Sequence, residues 1–138
     1  MYKKILAGYD GSEFSRKAFD HALAQAAQLH AELYVLTVVQ PPHIGDDVEL
    51  EAVIENSRAY HRGLFPPLQK LAAEHGVKAH FEVAIGHPVE QIIYHADRHE
   101  VDLIVVGHRG RSKFARLLLG SVSKQVAQHA GRAVLIVR

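Results

Sequence analysis

Five short apolar runs, separated by longer stretches of helical periodicity, restrict this chain more than any single residue does. The runs cover residues 3–9, 33–39, 77–85, 103–106 and 133–137. Each has strand length and is rich in Val, Ile and Leu, as buried strands are. The first ends at Asp10-Gly11-Ser12, a turn from which Ser12 can cap a helix with Glu13 in its first turn. Phe14, Ala18, Ala22, Ala26 and Leu29 then recur at helical spacing, with Phe19 and Leu23 beside them. Residues 46–74 are helical in composition but interrupted by Gly63 and Pro66-Pro67, which predicts a broken helix. Pro88 opens a third pattern through Val89, Ile92, Ile93 and Ala96; Ser121 opens a fourth through Val122, Val126 and Ala130, ended by Gly131. The order β-α-β-α-β-α-β-α-β predicts an α/β fold, an open parallel five-stranded sheet covered by helices on both faces. Ligands belong at the carboxyl ends of such strands. Residues 77–85 alternate strictly, so that strand is expected half-exposed near an edge.

With 138 residues, 48% of them hydrophobic, residues 1–138 form one domain able to bury a core without disulfides, of which the cysteine-free chain has none. No apolar run approaches bilayer length, and the start at Met1-Tyr2-Lys3-Lys4 has no signal-peptide cleavage region, so a cytoplasmic location is expected. The net charge of +1 conceals an asymmetry. No Asp or Glu follows Asp102, leaving seven basic groups in the last 36 residues (+7) against nine basic and fifteen acidic groups before them (−6). An anionic ligand is therefore to be sought in the C-terminal third.

That third holds Gly107-His108-Arg109-Gly110, nine further residues, then Gly120-Ser121 at a helix start, the pattern Gly-x2-Gly-x9-Gly-Ser. Glycines allow close approach of backbone to an anion and positive φ, and the N–H groups at a helix start favour phosphate. Ser121 and Ser123 add hydroxyls, and Arg109, Arg111, Lys113 and Arg116 add charge, one of them in direct phosphate contact. Phe114, Leu117 and Leu118 have helical spacing and are expected to pack on the body. Other phosphate signatures fail: there is no Gly-x4-Gly-Lys-Ser/Thr, and no Gly-x-Gly-x2-Gly after the first strand with an acid closing the second, where Gln40 stands. The paired acids of a receiver domain are missing too.

The chain resembles a universal stress protein of the nucleotide-binding type. The likeness runs from Lys3-Lys4-Ile5-Leu6 and Asp10-Gly11-Ser12, through Gly86-His87-Pro88 and Asp102-Leu103-Ile104-Val105-Val106-Gly107, to Leu119-Gly120-Ser121-Val122. The resemblance implies strand order 3-2-1-4-5, an adenine nucleotide alpha hydrolase-like arrangement, with ATP across the carboxyl ends of the first and fourth strands. It implies that Gly8, Tyr9 and Asp10 face the adenosine and that the Val38 backbone meets the adenine. Gly107, His108, Arg109, Gly110, Arg111, Ser112 and Lys113, with Gly120, Ser121, Val122 and Ser123, would surround ribose and phosphates. It further implies Mg²⁺ bridging the phosphates and a homodimer formed through residues Ala133 to Val137. Asp before Gly is also ordinary turn chemistry, so Asp10 has a structural role beside the ligand role. The last strand is apolar on both faces, and an edge of that kind invites pairing with another chain.

Among the eleven histidines, His95 and His99 are four apart on a helix, a spacing two metal ligands can use. They fall off the Val89, Ile92, Ile93, Ala96 stripe with no further ligand at a diagnostic spacing, so they are expected to be solvated and no metal ligand is assigned. His108 is either a phosphate contact or solvent-exposed. Residues 107–123 contain no carboxylate for a catalytic base or a metal, so no enzymatic activity beyond slow ATP hydrolysis is expected. Three rivals stand beside nucleotide holding: an interaction scaffold without nucleotide, an ATP hydrolase, and a nucleic-acid binder. The last lacks aromatic residues other than Phe114 among its basic groups.

Overall fold

The computed structural model describes residues 1–41, 47–109 and 120–138, without the side chains of residues 47 and 48. The strands are β1 Lys4–Gly8, β2 Glu32–Val39, β3 Ala79–Ile85, β4 Leu103–Gly107 and β5 Ala133–Val137. The helices are α1 Glu13–Leu29, α2 Asp47–Arg62, α3 Pro66–Glu74, α4 Pro88–Arg98 and α5 Ser121–His129. All strand pairs are parallel and the sheet order is β3-β2-β1-β4-β5, as expected. Ile5 sits beside Leu33 on one side and Leu103 on the other, so β1 is flanked by both halves of the sheet. The chain winds outward from β1 to β3, returns to β4 beside β1, and winds out to β5. This makes the β1–β4 boundary a topological switch point.

Each sheet face is one cluster. Ile5, Ala7, Leu33, Val35 and Val105 pack with Ala18, Phe19 and Ala22 of α1 and Leu68 and Ala72 of α3. Leu6, Leu36, Ile104 and Val106 pack with Val89, Ile92 and Ala96 of α4 and Val126 of α5. Alternate residues of the central strands thus serve opposite layers, which is why these strands are apolar throughout rather than alternating. Burying side chains such as Phe19, Ile5 and Ile104 completely stabilises the fold by roughly 1.5–3 kcal/mol each. The expected helix break falls at residues 63–65, with prolines in the first turn of α3 where their missing N–H costs nothing. The Ser12 Oγ accepts from the Ser15 N–H at 3.2 Å and caps α1. β3 has the half-exposed alternation expected of an edge. Among the described residues, no helix is long and apolar enough to cross a membrane.

The structure corrects three side-chain expectations. The buried stripe of α1 is Ser15, Ala18, Phe19, Ala22, Leu23 and Ala26; Leu29 is exposed, and Phe14 turns toward the end of β4 rather than the core. The slow rotation of a 3.6-residue period carries a run spaced by fours off one face over four turns. His95 and His99 are not solvated surface histidines: His95 is buried, and His99 is half-buried with its ring stacked on Tyr34. Burial first, then the neighbouring His95, lowers the pKa of His99 below its ordinary value. His108 is buried as well, which excludes the solvent-exposed reading.

Candidate functional site

The carboxyl ends of β1 and β4 lie side by side, with the start of α1 on one face of the sheet and the start of α5 on the other. From β1, Tyr9 donates its N–H to the Leu36 carbonyl at 2.9 Å, extending the pairing with β2 one residue past the strand. Asp10 then turns the chain. Its Oδ1 accepts from the Ser12 N–H at 2.9 Å, and its own N–H donates to Ser15 Oγ at 3.2 Å. This is the turn role given to Asp10 above, and Gly11 completes it at φ 83°. Val38 lies near the end of β2, half-buried against the α4–α5 layer.

From β4, the exit segment is pinned by backbone bonds. The His108 N–H donates to the Val137 carbonyl at 2.6 Å, and the His108 carbonyl accepts from the Gly120 N–H at 2.9 Å. Ser123 Oγ stands 3.0 Å from both the His108 and Gly120 carbonyls, its single proton shared between them. The two ends of the glycine-rich loop are therefore held together at its base. Gly110, Arg111, Ser112 and Lys113, with Phe114, Arg116, Leu117 and Leu118, lie outside the described residues.

The described glycines of the motif act by close approach and not by positive φ. A Cβ on Gly107 would stand 2.8 Å from the Phe14 carbonyl carbon and 2.9 Å from its Cβ, so only glycine lets α1 begin against β4. A Cβ on Gly120 would meet the His108 carbonyl oxygen at 3.1 Å, and its backbone is extended, at φ −61° and ψ 151°. Gly8 is different: its Cβ would make an ordinary 3.4 Å contact with Val106.

Among the described residues, no side chain caps α5. The N–H groups of Ser121, Val122 and Ser123 open that helix, where a helix start leaves donors without intrahelical partners. Ser121 is exposed, Val122 half-buried and Ser123 buried. Arg109 lays its guanidinium 4.8 Å over the Phe14 ring, and its Nε is buried with no hydrogen-bond partner among the described residues. Helix-start N–H groups and a buried guanidinium N–H, both without partners among the described residues, stand with a close-packed glycine base in an arrangement whose chemistry suits a phosphate group. Of the basic groups in the C-terminal third, Arg132 is turned elsewhere, paired with Asp97 of α4.

Sequence reasoning placed Gly107, Gly120 and Ser121 at this end of the sheet. It missed the Phe14–Arg109 stack and the inward engagement of Ser123. The first had no signal in the sequence, where Phe14 falls in step with Ala18, Ala22 and Ala26.

Comparison with known proteins agrees with this architecture. The profile described as the Universal stress protein family matches residues 1–138. Universal stress protein YxiE of Bacillus subtilis is 36% identical over 153 residues, covering 100% of both chains. Universal stress protein UspA from Lactobacillus plantarum superposes with a TM-score of 0.91 at 27% identity, covering 99% of this chain and 98% of that one. A universal stress protein crystallised in complex with cAMP superposes with a TM-score of 0.76 at 30% identity, covering 99% and 97%. By its 3-2-1-4-5 sheet, the glycine base beside the switch point and a match over its whole length, this chain belongs to the universal stress protein family.

Proposed function

We propose that this chain holds ATP across the carboxyl ends of β1 and β4 and acts in the cytoplasm as a nucleotide-dependent regulatory dimer of the stress response. The observation that carries the reading is the buried Arg109 Nε beside the start of α5, the one without a hydrogen-bond partner and the other without a side-chain cap among the described residues. An unmatched buried guanidinium N–H costs free energy that an anionic oxygen would recover. A cAMP complex of a relative at 30% identity supports an adenine nucleotide as the ligand class. In this reading Gly8, Tyr9 and Asp10 border the adenosine and Val38 meets the adenine through its backbone. Gly107, His108, Arg109, Gly110, Arg111, Ser112 and Lys113 with Gly120, Ser121, Val122 and Ser123 border ribose and phosphates. Ser123 serves through its backbone N–H, since its hydroxyl already donates inward.

Residues 107–123 supply no carboxylate. Mg²⁺, when it accompanies ATP, is therefore held chiefly by the phosphates, with Asp10 the nearest acid in sequence to the β1 end of the site. The same lack of a base favours retention over hydrolysis. The β5 edge, with Val134, Leu135 and Ile136 half-exposed, is the dimer surface.

Mass spectrometry of small molecules released from the purified, denatured protein checks the ligand: ATP is expected, and Gly110→Val is expected to abolish it. Absence of nucleotide together with no binding on titration with ATP would leave the interaction-scaffold reading. Steady accumulation of ADP from added ATP would make it a hydrolase. Sedimentation at micromolar concentration is expected to give a dimer, and a strict monomer would remove β5 as an interface.

A further inference from the structure

The sheet face under α4 carries a second polar cluster, toward the amino ends of the strands and away from the nucleotide end. Tyr34, four residues before Val38 on β2, lies about 13 Å from it along the strand. Around Tyr34 stand His80 and Glu82 of β3 and, from the end of α4, His95 and the capping residue His99. The Tyr34 ring is stacked between two imidazoles, with centroids 4.8 Å from His80 and 4.3 Å from His99. Glu32 Oε2 holds His80 Nε2 at 3.0 Å. Glu82, His95 and His99 each bring one ligand atom within 4.8 Å of the others.

His95 is the residue that demands an explanation. It is 95% buried, yet its Nδ1 has no hydrogen-bond partner among the described residues. Glu82 Oε2 is 3.4 Å away without hydrogen-bond alignment. A buried polar atom left in this state loses its hydration without compensation.

We propose that Glu82, His95 and His99 form a binding site for a borderline divalent transition-metal ion, Zn²⁺ foremost, which ties the end of α4 to the edge strand β3. Two imidazoles four residues apart share one side of a helix, and a carboxylate faces them from the neighbouring strand. Two ligands of a tetrahedral Zn²⁺ at 2.0–2.1 Å stand about 3.4 Å apart, and the Glu82–His95 separation already has that value. The other two edges are no longer than 4.8 Å; the half-exposed Glu82 side chain can close its own distance to His99, and a small turn of the half-buried His99 ring closes the His95–His99 edge. Two nitrogens and one carboxylate suit Zn²⁺, Co²⁺, Ni²⁺ or Cu²⁺, whereas Mg²⁺ and Ca²⁺ prefer all-oxygen sets. The fourth position falls to water, because the Glu82 side is open. Stacking on Tyr34 fixes the plane of the His99 ring, the orienting service an outer shell gives a ligand.

The test uses the full chain stripped with EDTA and titrated with ZnCl₂ by calorimetry and with Co²⁺ by visible absorption at neutral pH. Expected are one equivalent per chain, Co²⁺ d–d bands displaced by Zn²⁺ and untouched by excess Mg²⁺, and a rise in Tm on adding Zn²⁺. Glu82→Gln and His99→Ala change residues that are not fully buried, so both should keep the fold by circular dichroism. Each is expected to weaken Zn²⁺ by more than the roughly 10–100-fold that loss of an outer-shell partner costs, and Tyr34→Leu by about that amount. Substituting the exposed His21 and His129, which are not among the three ligands, is expected to change nothing. Failure of the wild-type chain to bind one Zn²⁺, or equal affinity in wild type, Glu82→Gln and His99→Ala, overturns the site and leaves a metal-free imidazole–carboxylate cluster.

Discussion

Glycine acts in this molecule by what it lacks, and the two glycines at the switch point separate two cases. Gly107 meets the backbone of Phe14, which cannot move without carrying the start of α1 with it. Gly107→Ala is expected to lower stability by about 1–3 kcal/mol and to weaken ATP retention, read by urea unfolding and nucleotide release. Gly8→Ala adds a methyl at ordinary contact distance from Val106 and is expected to cost less than about 1 kcal/mol. Equal losses for the two would show that α1 does not rest against Gly107. The glycines were visible in the sequence as a motif, but which of them the packing requires was not, because close approach depends on an element ninety residues away in the chain.

Strands and helices begin at specific side chains, and two of these can be tested. Ser12 caps α1, so Ser12→Ala is expected to cost ~1 kcal/mol and to lower Tm without changing the sheet. Asp102 precedes β4 and accepts through Oδ2 from the backbone N–H groups of Lys3 at 2.8 Å and Lys4 at 3.0 Å, securing the start of β1. The Lys3 hydrogen bond, then that of Lys4, holds the Asp102 carboxyl below its usual pKa. A folded pKa below the unfolded one contributes stability above the unfolded value, about 3.9, and that contribution is lost as pH falls through the folded pKa. Asp102→Asn keeps the acceptor but not the charge. Its stability deficit, measured by urea unfolding across pH, is expected to be present at pH 6 and to shrink below about pH 4; a deficit independent of pH would remove the charge from the account. The Asp10-Gly11-Ser12 turn and cap were legible from local residues because such bonds span a few positions. The Asp102 contact, spanning 99 positions, was not.

Over the whole molecule, the separation of charge along the chain becomes a separation in space only partly. Arg132 is neutralised by Asp97, while Arg109 remains at the switch point with a buried donor unpartnered among the described residues. If nucleotide binds the folded chain alone, Tm must rise with ligand concentration, by the equivalent of about 2.7 kcal/mol at a hundred times Kd. Thermal unfolding at increasing ATP should show that rise in the wild type and lose it in Gly110→Val; a rise unchanged by the substitution would put the nucleotide elsewhere.

Local pattern alone determined the order of elements, the break before Pro66 and the edge character of β3. Periodicity and turn chemistry act over one or two turns of chain, so they are written in adjacent residues. Tertiary packing decided the rest. It buried His108 and His95, sent Ser123 inward, stacked Arg109 on Phe14 and brought Glu82 to His95 and His99. Each of these joins residues from different elements, and their distance is set by how helices settle on a twisted sheet. No spacing along a single segment encodes that geometry.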